Sequence, residues 1–117
     1  MPLNYLDPIE AGPALEDYKP QQIGFQINKH LYSTGLPSLK EVKIALFCIE
    51  TPEQSFEDFR KQLYALFLGN WNMEIADLGN LKISDFDEEA YKKIQEISAE
   101  LIKQGVIPLL IGGVQEL

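Results

Sequence analysis

Three apolar runs recur along the chain from residue 42 onward, and an amphipathic segment separates each run from the next. The first run, residues 42 to 49, is nearly unbroken and rich in β-branched side chains, as in a strand that is buried on both faces of a parallel sheet. Residues 73 to 78 form the second run and residues 106 to 111 the third, and a glycine follows both. The pattern therefore predicts three strands.

Apolar side chains recur at three- and four-residue spacing between these runs, which predicts a helix after each of the first two strands. The first helix is predicted over residues 52 to 67, because Thr51 and Gln54 fit a capping box around its start. The second is predicted to begin at Asp85, with Glu88 as its capping partner. The expected buried stripe of the first helix is Phe56, Phe59, Leu63 and Leu66. In the second helix it is Tyr91, Ile94, Ile97 or Ser98, and Leu101. Gly105 is expected to end the second helix in a left-handed conformation.

The alternation of strands and helices predicts an α/β fold with a parallel sheet of at least three strands. Helices are expected to cover both faces of the sheet, which gives a three-layer αβα arrangement. Pro108 lies inside the third run and cannot donate to a sheet ladder, so it is expected near a strand start or on a free edge. Residues 1 to 40 are interrupted by prolines and are expected to form an irregular strap with one short candidate strand at residues 23 to 27. Residues 41 to 117 are assigned to the α/β domain.

The net charge of the chain and the absence of signal-peptide and membrane-span patterns indicate which partners and which cellular location to expect. The 117 residues carry 18 acidic and 10 basic side chains, for a formal charge of −8. This balance disfavours nucleic acids and anionic membrane surfaces, which bind clustered lysine and arginine. No apolar run is long enough to span a membrane, and the first residues do not form a signal peptide. The single cysteine fits a reducing compartment, and we predict a cytoplasmic protein.

Most catalytic and cofactor motifs are missing from the sequence. It has no dinucleotide fingerprint and no phosphate-binding loop, and one histidine with one cysteine cannot form a zinc site of the usual type. We interpret Cys48 as a buried structural thiol, His30 as a surface or packing residue, and the acidic residues 85 to 89 as a helix start that the helix dipole favours. Asp77 closes a predicted strand, so it is either a site residue or a turn-forming residue.

Residues at the ends of two predicted strands resemble the arginase (ureohydrolase) family. Residues 107 to 117 are similar to the family's apolar strand, two glycines and Asp-His-Ser, and residues 75 to 80 resemble its strand-ending Asp-x-Gly-Asp. Residues 42 to 49 lie where the first strand of the family lies. The resemblance covers residues 42 to 117 and implies the N-terminal part of an arginase-like fold, truncated, with strand order 2-1-3 and the first strand in the middle.

One departure from the family concerns its metal centre. In the family, the histidine after Gly-Gly-Asp binds one manganese of a two-metal pair, whose bridging hydroxide attacks a guanidinium or formimino carbon. Here Val114, Gln115 and Glu116 stand in place of Asp-His-Ser, and a glutamine amide is a much weaker ligand than imidazole. Residues 59 to 64 and 69 to 72 are similar to a formiminoglutamase-like branch, which we interpret as having an altered or lost metal centre. We expect no metal ligand and no catalytic activity from this chain alone.

Three functional hypotheses follow, in order of preference. The chain is the N-terminal part of a working ureohydrolase that hydrolyses C–N bonds of a linear amidine such as N-formimino-glutamate; or it is a metal-free pseudoenzyme used for binding or assembly; or it is an α/β domain of another class, such as a flavodoxin-like binder. A small-molecule substrate is expected only in the intact protein, and a homo-oligomer is expected through the unpaired edge of the third strand. The binding-site candidates, all at carboxyl ends of strands, are Asp77, Asn80, Gly112, Gly113 and Gln115.

Overall fold

The structure is a computed structural model that describes residues 1–9, 17–68 and 73–112. Within these ranges the chain forms a mixed α/β domain with a four-stranded, all-parallel sheet and three helices. The strands are β1 (Asn28–Lys29), β2 (Val42–Glu50), β3 (Glu74–Lys82) and β4 (Ile107–Ile111). The helices are α1 (Ile23–Gln26), α2 (Glu57–Ala65) and α3 (Glu88–Lys103), and a 3-10 helix spans Pro2–Tyr5. None of the helices in the described ranges is long and apolar enough to cross a membrane.

The order of the strands in the sheet is β1-β3-β2-β4. The three long apolar runs therefore form adjacent parallel strands with the first of them, β2, in the middle, which confirms the predicted order 2-1-3. The short strand β1 adds a fourth position on the far side of β3.

Alternate side chains of β2 pack on opposite faces of the sheet, which accounts for its nearly continuous apolar sequence. Phe47 and Ile49 contact a core cluster that contains residues of α3, whereas Leu46 and Cys48 contact a second cluster that contains residues of α2. All four side chains are at most 3% exposed. Helices therefore cover both faces of the sheet, as the three-layer prediction required.

The short strand predicted at residues 23 to 27 is wrong, because these residues form the single turn of α1. Ile23 and Ile27 are four residues apart, a spacing that also fits a helix, and both pack against the cluster beneath α2. Gly24 permits the close packing of this turn, since a Cβ atom there would lie 2.6 Å from the ring of Tyr18. The strand that does form is the two-residue β1, which follows directly.

Helix α2 begins five residues later than predicted, at Glu57 instead of residue 52. Thr51 and Gln54 do not form a capping box; they close a turn in which the Gln54 backbone N–H donates to the Thr51 carbonyl at 3.1 Å. Leu66, predicted in the buried stripe, lies beyond the helix and is 56% exposed. The fully buried positions of the helix are Arg60 and Tyr64.

Helix α3 begins at Glu88, and its N-cap is Asp87 rather than Asp85. The Asp87 side chain accepts a hydrogen bond from the Ala90 backbone N–H at 2.9 Å, so Glu88 is a first-turn residue and not the capping partner. Within the predicted stripe, three side chains contact the core and Tyr91 does not, being 51% exposed. The core contacts are made by Ile94, Ile97 and Leu101. The helix ends at a glycine with φ of +79° at position 105, as predicted.

The N-terminal residues lie along the carboxyl half of β3. Asp7 and Asn80 exchange backbone hydrogen bonds of 2.7 and 2.9 Å, and the Ile9 N–H donates to the His30 carbonyl at 2.8 Å. This contact requires glycine at position 79, where φ is +97° and a Cβ atom would lie 1.9 Å from the Asp7 carbonyl oxygen. The segment therefore forms one wall of the carboxyl edge of the sheet.

Strand β4 is the outer strand of the described sheet on the side opposite β1. Its apolar side chains are only partly covered: Ile107 is 62% exposed, Leu109 47% and Leu110 43%. Pro108 lies in this strand opposite Ala45 of β2, so it is on an edge strand within the described residues, as its missing N–H led us to expect.

Candidate functional site

The carboxyl ends of β2, β3 and β4 meet at one edge of the sheet, where α/β proteins build their sites. Asn80 of β3 and Ile111 of β4 both pair with Cys48, from opposite sides of β2. Asn80 and Gly112, which follows Ile111, therefore reach the same edge with β2 between them. Asp77 lies deeper in the sheet, opposite Leu46. The remaining two candidates, Gly113 and Gln115, are outside the described residues.

The carboxylate of Asp77 is fully buried and fully hydrogen-bonded. Its Oδ2 atom accepts from Arg60 Nε at 2.7 Å and from the Tyr64 hydroxyl at 2.6 Å. Its Oδ1 atom accepts from Arg60 Nη2 at 3.0 Å and from the Gly79 backbone N–H at 3.1 Å. Four donors fill the acceptor positions of a carboxylate, so Asp77 is an anchor within the protein and has no free position for a ligand. The predicted strand end at residue 78 and the turn-forming interpretation of Asp77 are both wrong, because β3 continues to Lys82. The bond to Gly79 lies at an irregularity within the strand.

The partner of Asp77 is Arg60, a buried arginine on the inner face of α2. It lies four residues from Phe56 and from Tyr64, in the middle of the buried stripe of α2, and is only 2% exposed. Burial alone would lower the pKa of Arg60, but the hydrogen bonds and charge of Asp77 raise that pKa above its ordinary value, so the guanidinium stays charged. Arg60 also donates to the Asn80 Oδ1 atom at 2.8 Å and to the Gly79 carbonyl at 2.9 Å.

Sequence reasoning missed Arg60, which enters the sequence analysis only as one of the 10 basic side chains. The signal available in the sequence was the position of Arg60, four residues after Phe56 and four residues before Tyr64 on an otherwise apolar helix face. A buried arginine needs a carboxylate partner, and Asp77 was the one strand-end acid among our candidates. Together these features would have predicted the pair.

Tyr64, Cys48 and His30 are buried groups that support the packing around this pair. Burial and the negative charge of Asp77 raise the pKa of Tyr64, so its hydroxyl remains a donor. Cys48 is 0% exposed, which confirms the prediction of a buried thiol, and burial raises its pKa to about 12. His30 is 6% exposed, and its Nδ1 atom lies 2.9 Å from the Leu78 carbonyl, as expected for a packing residue.

A pocket of about 330 Å³ opens at the carboxyl edge, a size within the range of small-molecule sites. Two acidic residues, Glu50 and Glu57, and two hydroxyl residues, Thr51 and Ser55, line it. Because the charges of Arg60 and its partner cancel, the pocket keeps two net negative charges. Its lining residues are Ile9, Glu50, Thr51, Pro52, Ser55, Glu57, Arg60 and Asn80.

Gly112 has a packing role at the opposite side of β2. Its φ is +103°, and a Cβ atom would lie 2.7 Å from the Phe56 ring and 3.0 Å from the Ile49 carbonyl oxygen. Glycine is therefore needed where β4 ends against the start of α2. Gly112 does not line the pocket.

The resemblance to ureohydrolases implies a manganese site. The residues that the structure describes do not supply a set of ligands for this metal. Within residues 1–9, 17–68 and 73–112, no group of three or more histidine, cysteine, aspartate or glutamate side chains could hold a metal ion. The carboxylate of Asp77, in the middle of β3, accepts hydrogen bonds from four donors and cannot act as a ligand without losing Arg60. What the pocket offers is charge and hydrogen bonds.

Comparison with known proteins leaves the family of the chain open. No protein-family model, curated protein or solved structure matches it. The similarity of residues 42 to 117 to the ureohydrolases is therefore a hypothesis that rests on short motifs. The structure assigns the chain to a fold class, a mixed α/β domain with a parallel sheet, and to no family.

Proposed function

We propose that the chain is the N-terminal portion of a ureohydrolase-family protein and binds a cationic linear amidine, a guanidino or formimino compound, in the pocket at the carboxyl edge of the sheet. Hydrolysis of the C–N bond of that amidine, with N-formimino-glutamate as one example, belongs to the parent protein. The observation that carries the proposal is a pocket with two net negative charges at the carboxyl edge of a parallel sheet ordered β3-β2-β4.

The charge of the pocket supports a planar cation as ligand. Glu50 and Glu57 are both partners for the N–H bonds of a guanidinium or amidinium, which carboxylates bind with two parallel hydrogen bonds. Thr51 and Ser55, which also line the pocket, have hydroxyl oxygens that can accept further hydrogen bonds. Glu50 and Glu57 would repel an anionic ligand that has no cationic group. Arg60 would not offset this repulsion, because its positive charge is already balanced by Asp77.

A metal-free pseudoenzyme is the second candidate, and a specific observation favours it. Asp77 is engaged by four protein donors, and the position that corresponds to the family's histidine ligand carries Gln115. Such a protein would retain the pocket for binding or assembly and would not hydrolyse its ligand.

Binding of methylguanidine, measured by calorimetry with a metal chelator present, tests the proposal. Replacing either pocket carboxylate, by Glu50→Gln or Glu57→Gln, should weaken binding by about 3- to 10-fold, because one charged hydrogen-bond partner is lost. Glu53→Gln is the matched control, since Glu53 is an exposed acid on the same loop that does not line the pocket. Absence of binding, or an equal effect of the control, would contradict the proposal.

Manganese titration separates the two candidates. For a natural protein that extends beyond Leu117, tight manganese binding by the long form but not by this chain would support a working amidine hydrolase. No binding by either form would support the pseudoenzyme, and Gln115→His would then be the variant in which to seek metal binding.

A further inference from the structure

The side-chain amide of Asn80 has a fixed orientation at the floor of the pocket. Its Oδ1 atom lies 2.8 Å from Arg60 Nη1, and a guanidinium can only donate hydrogen bonds. The oxygen must therefore face the arginine, so the amide nitrogen Nδ2 is on the other side. Asn80 is only 4% exposed, yet it lines the pocket.

The Nδ2 group of Asn80 is a donor with no acceptor among the hydrogen bonds of residues 1–9, 17–68 and 73–112. In those same ranges no fully buried side-chain nitrogen or oxygen is without a partner. Nδ2 is therefore accessible, and the pocket is the space that Asn80 lines. A nearly buried donor that opens into a cavity is a group that a ligand can satisfy.

Arg60 contributes a second donor to the same floor. Four of its five N–H bonds are donated to Asp77, Asn80 and Gly79. The fifth belongs to Nη1, the nitrogen that also holds Asn80, and Arg60 lines the pocket. Asp77 and Tyr64 do not reach the pocket lining; they fix the guanidinium plane and so act as positioning residues.

We infer that Asn80 Nδ2 and Arg60 Nη1 form an acceptor-binding subsite, which holds a carboxylate or carbonyl oxygen of the ligand while Glu50 and Glu57 hold its cationic end. The inference rests on the proposed function only for the cationic end. It adds that the ligand carries an oxygen acceptor on the side opposite its cation, and that Asn80 discriminates ligands with this acceptor from those without it.

Three guanidino probes test the subsite, because they share the cation and differ in the acceptor. Guanidinoacetate has a carboxylate, guanidinoacetamide has a neutral carbonyl, and methylguanidine has neither. The wild-type chain should bind guanidinoacetamide about 3- to 10-fold more tightly than methylguanidine, the effect of one or two hydrogen bonds. In nitrogen-resolved NMR spectra, the Asn80 side-chain amide should shift with guanidinoacetamide and not with methylguanidine.

Asn80→Asp is the informative variant, since aspartate keeps an oxygen that accepts from Arg60 and replaces the donor by a second carboxylate oxygen. The added negative charge attracts the cations of guanidinoacetamide and methylguanidine alike, but the second oxygen repels the carbonyl oxygen of guanidinoacetamide alone. The preference for guanidinoacetamide should therefore fall to about 1 or below in this variant. A preference that persists in Asn80→Asp would overturn the subsite.

Acetamide, which has the acceptor without the cation, distinguishes failure of the subsite from failure of the proposed function. A shift of the Asn80 side-chain amide with acetamide, with no binding of methylguanidine, would support the subsite and reject the amidine. Binding of methylguanidine, with no shift of the Asn80 side-chain amide from guanidinoacetamide or acetamide, would support the amidine and reject the subsite. No response to any of these probes would reject both.

Discussion

At the scale of single residues, the carboxyl edge of the sheet depends on one buried ion pair. Arg60 and Asp77 are 2% and 0% exposed, and their contact joins α2 to β3 through two parallel hydrogen bonds. Removing one partner of such a pair leaves an uncompensated charge in the protein interior, which costs more than the pair itself contributes. The pair therefore fixes the position of Asn80 and the shape of the pocket floor.

Replacing the arginine by a neutral side chain tests this anchoring role. Arg60→Met should lower the free energy of unfolding by about 3–5 kcal/mol, because Asp77 stays buried without its counter-ion. Urea denaturation measures the change. The neighbouring exposed residue gives a matched control, and Lys61→Met should alter stability by no more than about 0.5 kcal/mol. A loss below about 1 kcal/mol in Arg60→Met, or no recovery when Asp77→Asn is added, would refute the anchoring role.

The buried thiol of Cys48 predicts a loss of stability at alkaline pH. Unfolded, the thiol has its ordinary pKa of 9.0, whereas burial raises the pKa to about 12 in the folded protein. Between these values the unfolded chain binds fewer protons than the folded one, so stability falls as pH rises, by up to about 1.4 kcal/mol per pH unit. Tyr64, whose pKa is also raised, adds to this loss above its ordinary value of 10.0.

Denaturation as a function of pH checks this prediction. In Cys48→Ala the slope of unfolding free energy against pH should be smaller than in the wild-type chain between pH 9 and 10, whatever the baseline stability of the variant. Equal slopes in the two proteins would mean that the thiol is not buried as described.

Asp77 was visible in the sequence as an acid at the end of a predicted strand, but its role was not visible there. Asp77 was found because a carboxylate after an apolar run is conspicuous, and the two interpretations of it, site or turn, could not be separated without knowing what faced it. The facing residue, Arg60, is 17 positions away and on a helix whose start was misplaced. Side-chain partners across elements depend on helix rotation, which local pattern does not fix to one residue.

At the scale of elements, the pattern located the strands better than the helix starts. The runs that became β2, β3 and β4 are nearly continuous apolar segments, and this signal is local. The end of β3 was misplaced, because Gly79 lies within the strand, which continues to Lys82. The start of α2 was misplaced because Thr51, Pro52 and Gln54 fit a helix start by composition, whereas the chain first makes a turn there. The capping side chain of α3 was misplaced by two residues for a similar reason, since several acids compete for that position.

Two substitutions that flank α2 test the revised register of this helix. Phe56, the residue before the helix, is 5% exposed, and Phe56→Ala should cost about 3–5 kcal/mol of unfolding free energy. Leu66, just after the helix, is 56% exposed, and Leu66→Ala should change stability by no more than about 0.5 kcal/mol. The buried stripe predicted from the sequence contains both residues and so predicts similar losses of unfolding free energy. Equal losses in the two variants would therefore favour that stripe and reject the helix register described here.

At the scale of the whole molecule, the sheet order came from the family resemblance, and residue spacing alone did not give it. The order of β3, β2 and β4 agrees with that expectation, while β1 was not foreseen because two residues carry no periodicity. The N-terminal contact with β3 was equally hidden, since it is made mainly by backbone groups and by the absence of a side chain at Gly79.

Within the described residues β4 is an outer strand, and we propose that two copies of the chain associate through it. Ile107, Leu109 and Leu110 are each more than 40% exposed on β4, and an exposed apolar edge strand favours pairing. We expect a homo-oligomer by light scattering and a monomer after Leu109→Lys. Phe25→Lys is the control, because Phe25 is 60% exposed and belongs to α1 instead of this strand. A monodisperse wild-type monomer with slow amide exchange in residues 106 to 111 would count against association.

Chemical-shift mapping of the chain with guanidinoacetate, in the presence of a metal chelator, tests the proposed pocket most directly. Saturable shifts should concentrate in residues 50 to 60 and 77 to 80, around the pocket at the carboxyl edge of the sheet. Shifts that appear only after manganese is added, or that lie on α3 and the N-terminal 3-10 helix instead, would show that the ligand does not bind in this pocket.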